Sequence, residues 1–209
     1  KIENITNCKE KKDKTKNIIS SELSSVIKVQ NQDIDISPSR QNTVNYEHTA
    51  IYESTNTLRG TIMHQMLNHL SRQPQSELEQ FYCPEINEIS SQYLDSWWQE
   101  CRDIISNKLF NQYFDPLYYD KFFNEVPIQF KEKDKYVYGI IDRLVIKDKN
   151  VTVIDYKTHP YVDSENIRTV AETYRKQMQL YTAGVQLLWP DYSVSTKLLF
   201  TAIASEYSF

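Results

Sequence analysis

The chain has 209 residues, 40% of them hydrophobic and 25% charged, with a net charge of −4. That balance excludes a wholly disordered chain, a collagen-like chain and a membrane protein, since no apolar run approaches the roughly 20 residues of a membrane span. An acidic chain has no global attraction for nucleic acid, so any polyanion must be held by local basic residues or by bound metal ions. At about 150 residues per domain, the length predicts one domain with an arm. The cysteines Cys8, Cys83 and Cys101 are odd in number and form no CxxC. They argue against a disulfide framework and a cysteine-only metal site, and for a reducing, cytoplasmic compartment. No apolar segment follows the basic start at Lys1, so no signal peptide is expected, and the missing Met reads as a fragment of a longer chain. The three glycines, Gly60, Gly139 and Gly184, compare with roughly fifteen in an average chain of this length. Each is expected to survive for a steric reason.

Residues 1–45 are rich in Lys, Asn, Ser and Gln and are expected to form a linker or arm, with a short helix around Ile18–Val29. The domain proper is expected over 46–209. A helix is predicted from a cap at Asn56 or Thr57, with Leu58, Ile62, Met66, Leu67 and Leu70 at helical spacing. A second is predicted over 86–109, with Ile86, Ile89, Tyr93, Trp97, Cys101, Ile104 and Leu109 as its apolar stripe. The tandem Trp97–Trp98 fits one core and one rim residue. A short strand is expected at Val126–Phe130. Longer ones follow at Tyr136–Lys147 and Val151–Lys157, joined by a turn at Asp148-Lys149-Asn150. Helical spacing returns over 165–188, with Val170, Tyr174, Met178, Tyr181, Val185 and Leu188 on one side, and Ser195–Ile203 is the last expected strand. This order predicts an α/β fold, a sheet covered by helices.

The hairpin carries the chemistry. Tyr138, Ile140, Asp142, Leu144 and Ile146 are expected on one face of their strand, and Val151, Val153, Asp155 and Lys157 on one face of the next. An ionised Asp on such a face is expensive unless it is paired or bound to a metal. An even hairpin loop sets Asp142 opposite Lys157 and Leu144 opposite Asp155, all on one side, whereas a three-residue loop separates the two carboxylates. Two carboxylates can hold a hard cation such as Mg²⁺, which binds a phosphate oxygen and acidifies water. The lysine can orient that water or offset charge on phosphorus, or accept a proton if its pKa is depressed. The alternative is a buried Asp–Lys ion pair that only satisfies itself.

Gly139-Ile-Ile-Asp142-Arg143 followed by Val153-Ile-Asp155-Tyr-Lys157-Thr158 resembles the core of the PD-(D/E)xK nuclease superfamily. The resemblance is nearest to the RecB-like nuclease domain at the C-terminus of AddA and RecB helicase–nucleases. Arg59-Gly60-Thr-Ile-Met-His64 is similar to that branch's R-G-x-x-x-H motif, and Glu125-Val-Pro-Ile to the acidic start of its first core strand. Tyr174-Arg-Lys-Gln177-Met-Gln-Leu-Tyr181 is similar to its Y-x-x-Q-x-x-x-Y helix. Each pattern alone is weak, and five in the right order are specific.

The resemblance implies a restriction-endonuclease-like core, a central mixed sheet flanked by helices. It implies metal-dependent hydrolysis of DNA, with His64, Asp142, Asp155 and the backbone carbonyl of Tyr156 on one or two Mg²⁺ or Mn²⁺ ions. Lys157 becomes the catalytic lysine, and Glu125 a group that orients Lys157 or a water. Tyr174, Gln177 and Tyr181 contact the site or the DNA backbone, and Arg59 and Arg143 support it. Arg175 and Lys176 are either phosphate contacts or a solvated face. His48, in the arm, and His69 and His159, outside every motif, are expected at the surface. Also implied are a helicase on the same full-length chain that feeds single-stranded DNA to this domain, a second subunit, double-strand-break repair and recombination, and a bacterial cytoplasmic location. Three dispersed cysteines cannot supply the four that hold an iron–sulfur cluster in some relatives, and no P-loop for ATP is present. The rival readings are an inactive nuclease-like module that binds DNA or a partner, a stand-alone restriction or phage endonuclease, and a purely structural domain. Retention of His64, Asp142, Asp155 and Lys157 together argues against the inactive module.

Overall fold

The computed structural model describes residues 36–38, 50–73 and 91–209. The expected helix at Ile18–Val29, residues 86–90 of the second helix, His48, Cys8 and Cys83 lie outside the described residues. The elements in order are α1 (Ala50–Leu70), α2 (Ser91–Ser106), a 3-10 turn (Lys108–Phe110), the short α3 (Asn111–Phe114), β1 (Lys121–Glu132), β2 (Lys135–Lys147) and β3 (Asn150–Lys157). Then come α4 (Ile167–Thr173), α5 (Arg175–Leu188), β4 (Ser193–Phe200), a second 3-10 turn (Thr201–Ile203) and β5 (Ser205–Ser208). The five strands form one mixed sheet in the order β1-β2-β3-β4-β5. The β3–β4 pair is parallel, joined through the α4–α5 crossover, and the other neighbours are antiparallel.

Helices cover both faces. On one side Ile62, Met66, Leu67, Trp97, Trp98, Cys101 and Ile104 of α1 and α2 pack with Val145, Ile154, Tyr156 and Leu199. On the other, Met178, Tyr181 and Val185 of α5 pack with Leu144, Ile146, Val151, Val153, Leu198 and Phe200. Burial on both faces explains why β2 and β3 are almost continuously apolar. The fold is α/β with a helix-flanked mixed sheet, as expected.

Local boundaries depart from expectation. The helix α1 starts at Ala50, so Asn56 and Thr57 lie within it instead of capping it, and the Thr61 hydroxyl donates to the Thr57 carbonyl at 3.0 Å. The buried stripe of α2 is rotated to Leu94, Trp97, Trp98, Cys101, Ile104 and Ile105. Both tryptophans are interior, while Tyr93 and Leu109 are exposed. The strand β1 begins at Lys121, which puts Glu125 inside the strand, and β5 is a further strand that the sequence pattern does not announce. The single helix expected over 165–188 is broken at Tyr174, whose N–H returns to Ala171.

The β2–β3 hairpin turns on Asp148 and Lys149 alone, with Lys147 paired to Asn150. The loop is even, but it ends one residue earlier than expected, at Lys149 instead of Asn150, so the register differs from the predicted one. The ladder places Leu144 opposite Val153 and ends at Arg143 and Ile154. Beyond that point β2 outruns β3, and its free edge is met by Ile36, which accepts from Tyr138 N–H at 3.0 Å and donates to the Tyr136 carbonyl at 2.9 Å. Residues Ile36–Pro38, inside the expected arm, thus extend the sheet.

Arg143 is fully buried. Its guanidinium donates to the Tyr113 carbonyl at 2.9 Å, the Ser71 carbonyl at 3.3 Å and Asn124 Oδ1 at 2.6 Å. It lies 4.6 Å from the Phe122 ring centroid and 5.3 Å from that of Phe114. Among the described residues no carboxylate pairs with it. Its charge is instead balanced by carbonyl dipoles at the C-terminal end of α1 and by aromatic faces. The three glycines divide. A Cβ on Gly139 would meet Tyr181 at 3.0 Å and Pro38 at 3.2 Å, and one on Gly184 would meet Ile128 and Phe130 at 3.0 Å. On Gly60 it would make only ordinary contact, 3.4 Å from Thr158 Oγ1.

Two stability measurements follow by urea denaturation. Arg143→Met strands three buried acceptors and should lower stability by about 3 kcal/mol or more. Gly60→Ala, inside α1, should raise it by up to about 1 kcal/mol, whereas Gly139→Ala should lower it by about 1–3 kcal/mol through overpacking.

Candidate active site

Where the β2–β3 ladder stops, the carboxylate of Asp142 enters the gap. Its Oδ2 accepts the Tyr156 N–H at 2.7 Å, in place of a main-chain partner. Its Oδ1 meets Nδ1 of His64, on α1, at 3.1 Å. Strict alternation fails here. Ile141 and Leu144, three residues apart, both lie in the core under α5, so Asp142 and Arg143 both turn toward α1. Glu125, on the neighbouring strand, sits at the same level with φ 52°. The expected single face of Tyr138, Ile140, Asp142, Leu144 and Ile146 is therefore split, and Ile140 is 42% exposed.

Asp155 and Lys157 keep their alternation and turn toward α5. Lys157 Nζ lies 2.6 Å from Asp155 Oδ2 and donates to Gln177 Oε1 at 3.3 Å. Gln177 Nε2 donates to Asp155 Oδ1 at 2.9 Å and to the Tyr181 hydroxyl at 3.1 Å, and that hydroxyl donates to the Ile140 carbonyl at 2.8 Å. These bonds satisfy a glutamine that is only 2% exposed. Lys157 Nζ also lies 3.9 Å from the Tyr174 ring centroid. The site therefore has two halves, Glu125–His64–Asp142 toward α1 and Asp155–Lys157–Gln177–Tyr181 toward α5, joined through the Tyr156 N–H.

Burial and charge pull against each other in each group. Burial pulls the His64 imidazole down, but Asp142, by charge and hydrogen bond, outweighs it and holds His64 above its usual value. Burial pushes Asp142 up, yet His64, the Tyr156 N–H and Lys157 bring it below the usual carboxylate range. Asp155 stays raised, by burial and then by the like charge of Asp142, despite Lys157. Burial would lower Lys157, but Asp155 more than compensates, so Lys157 stands as a cation and not as a base. Glu125 is raised by burial and by Asp142. It lines a cleft of about 460 Å³ with Gly60, Thr61, His64, Gln65 and Asn68.

Imidazole nitrogen beside carboxylate oxygens is a donor set suited to Mg²⁺ or Mn²⁺. Asp155 Oδ2, buried, is met only by the Lys157 ammonium at 2.6 Å, so a divalent ion there would share or displace that cation. As they stand, no three His, Cys, Asp or Glu among the described residues converge as an ion cage. Each aspartate is instead matched to a cation of the protein itself.

The remaining candidates separate. Arg59 is 9% exposed, pairs with Glu100 at 2.6 Å and donates to the Thr158 carbonyl, so it clamps the end of β3. Arg143, fully buried and turned to the α1 terminus, has no surface to offer DNA. Gln177 and Tyr181 are interior, Gln177 bonding Asp155 and Lys157 and Tyr181 bonding the Ile140 carbonyl. Arg175 pairs with Glu172 at 2.6 Å on the surface. His69 is half-buried and bonds Gln73 at 2.8 Å. His159 is exposed as expected, but it stacks on Tyr174 and hydrogen-bonds its hydroxyl. Its position two residues after Lys157 was the available signal.

The family model of the PD-(D/E)XK nuclease superfamily matches residues 41–205. An ATP-dependent helicase/nuclease protein of Clostridioides difficile (strain 630) is 38% identical over 50 residues, 24% of this chain and 4% of that protein. The chain thus spans a small fraction of that curated relative's length. It belongs to the PD-(D/E)XK nuclease superfamily, whose members generally use divalent metal ions.

The His64–Asp142 pair gives a pH prediction. In metal-free protein, the His64 imidazole followed by NMR should titrate above 6.5, and Asp142→Asn should bring it down. Because the folded His64 pKa is raised and that of Asp142 lowered, the pair's stabilisation is full between about pH 4 and 6.5; it is lost as pH rises through the folded His64 value and as it falls through that of Asp142.

Proposed function

We propose that this nuclease-superfamily domain hydrolyses DNA phosphodiesters with the help of a divalent cation, Mg²⁺ or Mn²⁺. The observation that carries this reading is that Asp142 takes the Tyr156 N–H, between Asp155 and its ion-pair partner Lys157, where β2 and β3 part. His64, Asp142, Asp155 and the Tyr156 carbonyl would hold the cation. When bound, it supplies Lewis acidity toward a phosphate oxygen and lowers the pKa of water. Lys157, kept cationic by Asp155 and aimed by Gln177, offsets charge that develops on the phosphoryl oxygens as the P–O bond breaks. Glu125, on the cleft wall beside His64, orients the attacking water. Gln177 and Tyr181 hold Asp155 and Lys157 in place.

The local similarity to a helicase/nuclease protein supports a finer reading. In it, the domain belongs to a longer chain, receives single-stranded DNA from an ATP-driven helicase, works with a second subunit, and serves double-strand-break repair and recombination in the bacterial cytoplasm. Among the described residues no helix is long and apolar enough to cross a membrane.

The test uses labelled single-stranded DNA with Mg²⁺ or Mn²⁺, with and without EDTA. Cleavage should need the metal and fall by about a hundredfold or more in Asp142→Ala, Asp155→Ala and Lys157→Ala. Cleavage that survives Asp155→Ala or Lys157→Ala would sink the mechanism. Metal-independent DNA binding without cleavage would mark an inactive module.

A further inference from the structure

We infer that His159 is a positioning residue for Lys157, acting through the Tyr174 ring; the inference rests on the nuclease reading for its effect on catalysis. Lys157 Nζ is bounded by Asp155, by Gln177 and, at 3.9 Å from the centroid, by the face of Tyr174. A cation held on a ring face depends on the ring's orientation, because the edge of the same ring repels it. Tyr174 sits at the break between α4 and α5, where helix geometry alone does not fix its side chain. His159 stacks on it, centroids 6.0 Å apart with planes at 26°, and its Nε2 is bonded to the Tyr174 hydroxyl.

His159 is itself fixed from behind. Arg59, anchored by Glu100, donates to the Thr158 carbonyl, clamping the backbone between Lys157 and His159. The His159 imidazole is pushed toward its neutral form by desolvation and by the positive charges of Lys157, Arg59 and His64. A neutral ring with hydrogen on Nδ1 leaves Nε2 to accept the phenolic proton. That bond fixes the phenol in plane and enriches its π face toward the ammonium. The chain of contacts runs Glu100, Arg59, Thr158, His159, Tyr174, Lys157.

The experiment compares the unmutated 209-residue chain with His159→Ala, His159→Gln, Tyr174→Phe and the double variant His159→Ala/Tyr174→Phe. Metal-dependent cleavage of single-stranded DNA should lose roughly tenfold in kcat in His159→Ala and in Tyr174→Phe, with KM unchanged and the double variant no worse than either. His159→Gln, whose amide oxygen can accept the same proton, should recover most of the loss. A loss in KM alone, additive losses, or no recovery by glutamine would overturn the inference. An activity-free readout separates it from the nuclease reading. The Lys157 ε-methylene protons should carry an upfield ring-current shift by NMR that collapses in His159→Ala and persists in His159→Gln. A shift that stays unchanged in His159→Ala overturns the positioning role even where cleavage is robust. Absent cleavage with the expected shifts instead overturns the nuclease reading and leaves the positioning role standing.

Discussion

The bond from the Tyr156 N–H to the Asp142 carboxylate is the constraint on which the site depends. A buried N–H needs a partner, and at this level β3 has lost β2 as its neighbour on one side. One carboxylate oxygen replaces the missing ladder bond and leaves the other for His64. Continued ladder pairing would set Asp142 directly across from Asp155, two like charges on one face. Parting the strands turns Asp142 toward α1 and leaves Asp155 toward α5. The last residues of β3 then pair with β4 alone, Asp155 with Leu198 and Lys157 with Phe200.

The two half-sites share one electrostatic logic. Burying a carboxylate is expensive, and here each is matched: Asp142 by His64 and an amide dipole, Asp155 by Lys157 and the Gln177 amide. Gln177 does two opposite things at once, its amide nitrogen donating to the anion and its amide oxygen accepting from the cation. The opposite shifts of Asp142 and Asp155 follow from this division. Asp142 has more compensating partners than burial can undo, and Asp155 has fewer.

Much of this was legible in the sequence because it rests on local pattern. The paired strands, a turn beginning at Asp148 and the D-x-K triplet needed only neighbouring residues. The register was not legible to the residue, because Asn150 looks like a turn residue and is in fact paired with Lys147. The face of Asp142 was misread because alternation fails beside it, at the level where Glu125 on the neighbouring strand takes a positive φ. Arg143 was invisible as a core residue. Its partners Ser71, Tyr113 and Asn124 come from three separate segments, and a charged residue beside Asp142 looks like part of the chemistry. The glycines were read correctly as steric markers at Gly139 and Gly184. At Gly60 the space is larger than the motif implied.

The inward turn of the cations bears on how an acidic chain of net charge −4 meets a polyanion. Arg59 and Arg143 are 9% and 0% exposed and saturated by carbonyls, a carboxylate and aromatic rings, so neither adds to a phosphate-binding surface. Exposed Arg175 is paired with Glu172. These three arginines are thus taken up by the protein itself, while lysines at the strand ends, Lys133, Lys135, Lys147 and Lys149, stay exposed. Under the proposed function, a divalent cation held by the carboxylates would add positive charge beside Lys157, which an acidic chain lacks as a whole.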